Sequence, residues 1–270
     1  MSSLEMYAMT DVGIKRNHNE DYVGITPSHG FAVLADGMGG HSAGEVASKM
    51  AVDLITSSLK SKLLDIPQAA VNEDTGFTGE SMLTREAIRT ANDIIYNTAQ
   101  RKPECAGMGT TVLVAVFYAD RISAAHVGDS RMYRLRNNIL THVTEDHSLI
   151  HEQVRRGLVT AKDARNSMIK NLVTRALGLE SGVEADIIED TVQAGDIYLM
   201  CSDGLTDVVS DEIIQLTLST HSKDFKKAGE ELTRLANEAG GPDNISLIMI
   251  RTDKSPEMKR SLFSRLLGRK

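Results

Sequence analysis

The chain has 270 residues, with 30 basic and 37 acidic side chains and a formal charge of −7, and its mass is 29.4 kDa. Its content of 41% hydrophobic and 25% charged residues is typical of a soluble globular protein and excludes a disordered or fibrous chain. The acidic balance also excludes a general binder of nucleic acid, which needs a basic surface. The charge is uneven, because residues 254–270 hold six basic residues and one acidic residue. This tail therefore carries +5, and residues 1–253 carry −12.

The cysteines and the apolar runs indicate the compartment. Cys105 and Cys201 are too few for a disulfide framework and lack the spacing of a zinc site. No apolar run approaches the roughly 20 residues that span a bilayer, and the N-terminus lacks the pattern of a signal peptide. We therefore expect a reducing, cytoplasmic location.

Short apolar runs bounded by turn residues predict strands and hairpins. These runs cover residues 21–26, 30–35, 110–118, 122–127, 131–135, 139–143, 187–191, 197–201 and 245–251. The first six form three successive pairs, and the two runs of each pair are joined by a turn of a few residues. Such a short link cannot hold a parallel crossover, so each pair must be antiparallel.

Helical patterns lie between these groups of strands. The capping box at residues 42–45 predicts the start of one helix, and a second helix is expected over residues 84–100. The expected buried positions are Val46, Met50, Leu54 and Ile55 in the first helix, and Ala87, Ile88, Ala91, Ile94 and Ile95 in the second. Further helices are expected near 211–220 and 224–239, and residues 146–180 are interpreted as a helical insertion. Antiparallel strands with grouped helices predict an α+β fold rather than a doubly wound dinucleotide-binding fold.

Acidic residues at the ends of apolar runs are the main candidates for chemistry. They are Asp36, Asp129, Asp203 and Asp243, together with the pair Glu20-Asp21 that opens the first hairpin. Carboxylates that lie close together raise one another's pKa unless a cation neutralises them, and oxygen ligands suit hard cations such as Mg²⁺ or Mn²⁺. A single Asp-Gly or Asp-Asn pair is more often only a turn signal. The ordered set of acids, with Arg16 nearby, favours a metal site.

Six short motifs carry a resemblance to a known family. They are Arg16-Asn-His-Asn-Glu-Asp21, Asp36-Gly-Met-Gly-Gly-His41, Gly107-Met-Gly-Thr-Thr111, Gly128-Asp-Ser-Arg131, Ser202-Asp-Gly-Leu205 and Asp243-Asn244. With these motifs in this order, residues 10–251 closely resemble the metal-dependent protein phosphatase family, type 2C. Residues 144–149 and 172–178 further resemble its compact bacterial branch. The resemblance implies a four-layer sandwich of two antiparallel sheets between pairs of helices, with the insertion at 146–180 as the family's flap.

The resemblance also implies an activity and a set of metal ligands. The activity is hydrolysis of phosphoserine and phosphothreonine in proteins, which opposes serine/threonine kinases. The ligands are Asp36, Gly37 (through its carbonyl oxygen), Asp203 and Asp243 in direct contact, Glu20 and Asp21 through metal-bound waters, and Asp129 at a third, weaker site. Asp36 would bridge two Mn²⁺ or Mg²⁺ ions, and a water held between these ions would attack phosphorus in line.

Two further residues would act on the phosphate group. Arg16 would hold the phosphate oxygens, for which a planar two-pronged donor is better suited than lysine. The leaving alkoxide needs a proton, and some members of the family have a histidine general acid where this chain has Met38. Either His41 or a metal-bound water would serve instead.

Other features have less specific interpretations. His147 and His151 are four residues apart on an expected helix and could share a metal, but without an evident third ligand they are interpreted as amphipathic-helix residues. The tail of residues 254–270, expected beyond a single domain of residues 1–253, carries four apolar residues on one helical face. These are Leu262, Phe263, Leu266 and Leu267. The tail could contact a partner or an anionic membrane, or pack on its own domain.

The rival interpretations belong to other functional classes. A catalytically silent relative would bind phosphoproteins as a regulatory module, but the intact residues Arg16, Asp36, Asp203 and Asp243 argue against it. A phosphohydrolase with an aspartyl nucleophile is disfavoured because the Asp-x-Asp pair is missing at Asp36. The expected partners are phosphorylated proteins and a cognate kinase, and we expect a monomer.

Overall fold

The computed structural model of the protein describes residues 4–39, 43–160, 163 and 172–252. The strands are β1 (Leu4–Asp11), β2 (Asp21–Thr26), β3 (Phe31–Met38), β4 (Gly109–Thr110), β5 (Val112–Tyr118), β6 (Arg121–Val127), β7 (Arg131–Arg136), β8 (Ile139–His142), β9 (Asp186–Thr191), β10 (Ile197–Cys201) and β11 (Ile245–Thr252). The helices are α1 (Ala43–Lys62), α2 (Gly79–Arg101), α3 (Leu149–Arg155), α4 (Asp203–Thr206), α5 (Asp211–Thr220) and α6 (Phe225–Glu238). The predicted tail and His41 lie outside the described residues.

Two antiparallel sheets form the centre of the molecule. The strand order is β1-β11-β10-β7-β8 in one sheet and β2-β3-β5-β6-β9 in the other, where β4 also pairs with β3. The hairpins predicted from the short turns are present as the pairs β2–β3, β5–β6 and β7–β8. The prediction of antiparallel pairing is therefore confirmed.

Three hydrophobic cores divide the molecule into four layers. Helices α1 and α2 cover one face of the β2 sheet through residues such as Ile55 and Ile88. The two sheets face each other across a second core that includes Leu34 and Met132. Helices α5 and α6 cover the outer face of the β1 sheet through residues such as Leu232. Burial of this apolar surface is the main favourable term in folding, and the layers form the predicted α+β sandwich.

Some local predictions are wrong in detail. Val46 is 40% exposed, whereas Ala47, Ala51 and Ile55 are fully buried, so α1 faces the sheet with small residues as well as with part of the predicted stripe. Ile94 on α2 is likewise exposed. Small residues allow the backbone of α1 to approach the strands closely, and this approach positions the candidate site.

The described part of the insertion at 146–180 contains α3, and Asp163 is also helical. The described returning segment, residues 172–180, contains no helix and forms isolated bridges from Val173 to Ser148 and from Leu177 to Thr110. Residues 161, 162 and 164–171 lie outside the description. In the part of the chain that the structure covers, no helix has the length and apolar character needed to cross a bilayer.

Candidate metal centre

The two sheets bring the predicted acids together at one end of the sandwich. Asp21 and Asp36 are directly opposite each other in the register of β2 and β3. On the other sheet, Asp203 follows the end of β10 and Asp243 precedes the start of β11. These ends are neighbours because β10 and β11 are antiparallel. Asp129 follows the end of β6.

The pKa values of these acids show that they share one electrostatic environment. Burial raises the pKa of Asp36 and that of Asp203 well above the usual range, and the charges of the other aspartates of this end raise both further. Burial is also the main cause that raises the pKa of Asp21 to about 6 and that of Asp129 to about 7. Ionising the set together is therefore unfavourable without a cation. We call Asp21, Asp36, Asp129, Asp203 and Asp243 the carboxylate cluster.

Two oxygens of the carboxylate cluster indicate where a cation fits. Asp21 Oδ1 and Asp203 Oδ1 are buried, and neither has a hydrogen-bond partner within the described ranges. The second oxygen of Asp21 accepts a hydrogen bond from Ser202 Oγ at 2.8 Å. Buried acceptors are normally paired, and an all-oxygen donor set is what Mg²⁺ and Mn²⁺ prefer. The residues present therefore fit hard divalent cations.

The backbone of Asp36 is held on both sides by the Thr110-Thr111 pair. Thr111 N–H donates to the Asp36 carbonyl at 2.8 Å, and the Thr110 hydroxyl donates to the same oxygen at 2.9 Å. Asp36 N–H in turn donates to Thr111 Oγ1 at 3.1 Å. These three bonds account for the two threonines of the Gly-Met-Gly-Thr-Thr motif, which hold the main chain of Asp36 in place.

Gly37 stands where strand β3 touches helix α1. A Cβ atom on this residue would lie 2.2 Å from the Gly44 carbonyl oxygen and 2.5 Å from that of Glu20. Its N–H donates to the Glu20 carbonyl at 3.1 Å. Only glycine fits this contact, which brings Glu20 beside the carboxylate cluster. Burial raises the pKa of Glu20, and Arg16 opposes this shift.

Arg16 is paired with one member of the carboxylate cluster. Its Nη2 atom donates to Asp243 Oδ2 at 2.7 Å. The pKa of Arg16 is raised: burial acts to lower it, but the hydrogen bond and charge of Asp243 outweigh burial. The guanidinium is half exposed, so it stands at the edge of the cluster, where an anionic ligand could reach it.

Asn244 is a site residue to which the sequence analysis gave no role of its own. Its Nδ2 atom donates to the carbonyl oxygens of Val12 at 2.8 Å and His18 at 2.9 Å. Its Oδ1 atom accepts from Glu20 N–H at 2.8 Å. The side chain thus ties the segment that carries Arg16 to the loop before β11. In the sequence, its position directly after Asp243 could have marked it as a site residue.

Asp146 is a second residue that the sequence analysis did not single out. Its charge is the strongest one that acts on Asp129, after the effect of burial, and it raises the pKa of Asp129. Arg131 holds Asp146 by bonds from Nε at 3.0 Å and from Nη2 at 2.6 Å. Asp146 therefore acts on Asp129 through its charge, while Arg131 neutralises Asp146 itself.

The interpretation of His147 and His151 as two residues of one amphipathic helix is wrong for His147. His147 lies before Ser148, the N-cap of α3, whereas His151 lies within the helix. The ring of His147 stacks on His126, and its Nε2 atom is 3.2 Å from Asp186 Oδ2. His151 instead faces Glu145 at 3.9 Å. His41, the histidine predicted to be catalytic, is outside the described part of the chain.

Comparisons with known proteins agree with this geometry. The family profile of Protein phosphatase 2C matches residues 14–248. The serine/threonine phosphatase stp of Listeria monocytogenes is 39% identical over 250 residues, which cover 90% of this chain and 94% of that protein. The crystal structure of the Mycobacterium tuberculosis serine/threonine phosphatase PstP/Ppp has a TM-score of 0.81 and 34% identity, and the match covers 93% of this chain and 99% of that one.

A second crystal structure shows a relative with metal bound. It is the catalytic domain of the serine/threonine protein phosphatase PstP in complex with two manganese ions, with a TM-score of 0.78 and 34% identity. The match covers 92% of this chain and 97% of that one. An α-β-β-α sandwich with an acidic cluster at one end defines the class of metal-dependent phosphatases. The chain belongs to the protein phosphatase 2C family, so the predicted family, fold and enzyme class are confirmed.

Proposed function

We propose that this protein hydrolyses phosphoserine and phosphothreonine in other proteins, and that two Mn²⁺ or Mg²⁺ ions assist the reaction. The observation that carries the proposal is the carboxylate cluster, in which burial and mutual repulsion raise the pKa of Asp36 and Asp203. Divalent cations would neutralise these carboxylates, and the site could then accept an anionic phosphate. The names of the relatives and the two manganese ions of PstP support the same activity.

The proposed metal ligands follow the family pattern. Bound Mn²⁺ or Mg²⁺ would supply a water of lowered pKa for attack on phosphorus and would offset the phosphate charge. The direct ligands are Asp36, the Gly37 carbonyl oxygen, Asp203 and Asp243. Glu20 and Asp21 hold coordinated waters, and Asp129 contributes to a third site. The unpartnered Oδ1 atoms of Asp21 and Asp203 support this assignment.

Two residues of the chain itself are proposed to act on the substrate. Arg16 turns from Asp243 to the phosphate oxygens and orients the group by paired hydrogen bonds. Its half-exposed position at the edge of the carboxylate cluster supports this role. His41 is proposed as the group that protonates the leaving alkoxide, because Met38 has no proton to give.

The cellular setting is part of the same proposal. The substrates are phosphorylated proteins, and the enzyme opposes a serine/threonine kinase as a cytoplasmic, monomeric signalling protein of a bacterium. Residues 1–253 form one phosphatase domain. The basic tail of residues 254–270 makes at most a weak contact with a partner or an anionic membrane.

The test is the release of phosphate from a phosphothreonine peptide in the presence of Mn²⁺. We expect activity that EDTA abolishes and that falls on the order of 1000-fold in Asp36→Asn and Asp243→Asn. Asp53→Asn changes an exposed acid of α1 and is the matched control, with activity unchanged. Activity that survives EDTA, or survives both substitutions, rules out the two-metal reaction. A wild-type protein inactive on every phosphopeptide favours the regulatory binding module instead.

A further inference from the structure

A second group of possible metal ligands lies beside Gly128, outside the carboxylate cluster. His126 on β6 and Asp186 on β9 are partners in the register of these strands, and His147 reaches them from the segment before α3. The rings of His126 and His147 are stacked, with centroids 4.6 Å apart and planes at 21°. One ligand atom from each of His126, His147 and Asp186 lies within 4.8 Å of the others.

His126 is the unusual member of this group. Its side chain is only 1% exposed, and neither ring nitrogen has a hydrogen-bond partner among the residues described. An unpartnered buried polar atom is unfavourable, so it points to a ligand that the described residues do not supply. Burial, followed by the charge of His147, lowers the pKa of His126 to about 4. The ring is therefore neutral near pH 7, and no proton competes with a metal for its lone pair.

The positively charged side chain of Arg175 lies beside this group of possible ligands. The Asp186 side chain is exposed, and Arg175 Nη1 donates to its Oδ1 atom at 2.8 Å. The same Nη1 atom is 3.3 Å from His147 Nε2. Arg175 thus occupies a position between two possible ligands. Its side chain is also exposed, so the guanidinium can turn into solvent and leave that position to another cation.

We propose that His126, His147 and Asp186 bind a divalent cation of the zinc type, which displaces the Arg175 guanidinium. Two imidazole nitrogens, one carboxylate oxygen and an open fourth position suit Zn²⁺. Mg²⁺ and Mn²⁺ prefer oxygen ligands, so this group and the carboxylate cluster select different metals. Zinc–nitrogen bonds of about 2.1 Å place tetrahedral ligand atoms about 3.4 Å apart. The three ligand atoms, which now lie within 4.8 Å of one another, must therefore move closer, and the stacked rings must turn so that their lone pairs meet at the metal.

His147 connects this group to the turn that carries Asp129. Its Nδ1 atom accepts a hydrogen bond from Gly128 N–H at 3.1 Å, and its own N–H donates to the Gly128 carbonyl at 3.0 Å. In the neutral ring the proton is therefore on Nε2, facing Asp186. A metal at Nε2 moves this proton to Nδ1 and removes the bond from Gly128 N–H. Occupancy loosens the turn before Asp129 and slows the reaction, an effect that rests on the proposed function.

The binding test uses Co²⁺ as a spectroscopic probe, added to the full chain in excess Mg²⁺. Four-coordinate Co²⁺ with nitrogen ligands absorbs visible light strongly, whereas six-coordinate Co²⁺ among oxygen ligands absorbs weakly. The signal therefore reports this group rather than the carboxylate cluster. We expect a strong band from the wild-type protein and its loss when Zn²⁺ is added.

Four variants make the assignment specific. Asp186→Asn changes an exposed side chain and should weaken Co²⁺ binding about 10-fold or more, and His126→Leu should abolish the band. Arg175→Gln removes the displaced charge and should tighten binding roughly 5-fold. His151→Asn is the matched control, because it removes a half-buried histidine of α3 outside this group, and it should leave the band unchanged.

The outcomes that overturn the proposal are separate from those that bear on the phosphatase. A band that is absent from the wild-type protein, or that keeps its full affinity in both Asp186→Asn and His126→Leu, overturns the site. Binding that does not tighten in Arg175→Gln contradicts the displacement. Zn²⁺ inhibition that remains in Asp186→Asn contradicts the link to Asp129. The band is recorded without substrate, so an inactive enzyme does not affect it.

Discussion

Two aspartates at opposite ends of strand β10 are balanced in different ways. Asp196, just before the strand, is only 1% exposed, and Arg136 binds its two oxygens at 2.7 and 2.6 Å. The Gln193 N–H adds a third hydrogen bond at 2.8 Å. Asp203, just after the strand, has a buried oxygen without a partner in the described residues. The same residue type is thus paired with an arginine at one end, whereas at the other end no described residue bonds to the buried oxygen.

This difference indicates how the charge of the aspartate at each end is balanced. A buried charge needs an opposite charge close by. Arg136 makes the Asp196 end complete in the folded chain, so that end serves stability alone. Under the proposed function, cations complete the Asp203 end, and the free energy of their binding would offset the repulsion within the carboxylate cluster. The two ends should therefore respond in opposite ways to the same substitution.

The largest expected effect is on the stability of the metal-free protein. Asp196→Asn leaves the Arg136 guanidinium without its counter-charge and should lower the free energy of unfolding by about 3 kcal/mol. Asp203→Asn removes one of the repelling charges and should raise the free energy of unfolding in EDTA. Urea unfolding of both variants in EDTA gives the comparison. A loss of stability in both variants would contradict the difference between the two ends.

The next effect is on the pH dependence of stability. In the folded protein the pKa of Asp21 is raised from 3.8 to about 6, and that of Asp129 from 3.8 to about 7. The folded state therefore holds protons that the unfolded state releases in this range. Each group contributes stability that is present below about pH 4 and is lost as the pH rises through 6 or 7.

Urea unfolding at pH 5 and pH 8 measures this loss. We expect the metal-free protein to lose stability between these values, and saturating Mn²⁺ to reduce or reverse the loss, because metal binds the ionised carboxylates. Asp129→Asn should weaken the pH dependence in EDTA. A metal-free wild-type protein whose stability does not fall between pH 5 and pH 8, or falls no more steeply than that of Asp129→Asn, would contradict the assigned pKa shifts.

A smaller effect is expected at the edge of the carboxylate cluster. Arg16→Lys keeps the charge but loses the paired donors of the guanidinium, so kcat/KM for a phosphopeptide should fall about 10-fold, mainly through KM. Arg89→Lys, which alters an exposed pair with Glu86, is the matched control. Steady-state kinetics at saturating Mn²⁺ measures both. An unchanged KM in Arg16→Lys would show that the guanidinium does not hold the phosphate.

Much of the fold could be predicted from local patterns. Hairpins with short turns have a single possible pairing, and the apolar runs placed Asp36 and Asp203 near strand ends, although β3 continues to Met38. Strand β1 could not be predicted, because Met6 and Ala8 pack between the sheets while Tyr7 and Met9 pack toward the helices on the other face. A strand that is apolar on both faces lacks the alternation that reveals a strand.

The contacts that balance the charges could not be predicted because they join distant parts of the chain. Arg136 and Asp196 are 60 residues apart, and Asn244 bonds to a segment more than 200 residues away. Neither contact has a local pattern. The same holds for His126, whose place beside His147 depends on the packing of the segment before α3. The sequence motifs identified the acidic residues of the site, whereas the residues that bond to them could be identified only from the tertiary structure.

The most direct test of the central claim is the effect of Mn²⁺ on thermal unfolding of the metal-free protein. At 100 times the dissociation constant, bound metal should add about 2.7 kcal/mol, which corresponds to a rise in Tm of about 5 to 10 °C. We expect this rise in the wild-type protein and in Asp53→Asn, and we expect it to disappear in Asp36→Asn. No rise in the wild-type protein, or an equal rise in Asp36→Asn, would contradict the claim that divalent cations complete the carboxylate cluster.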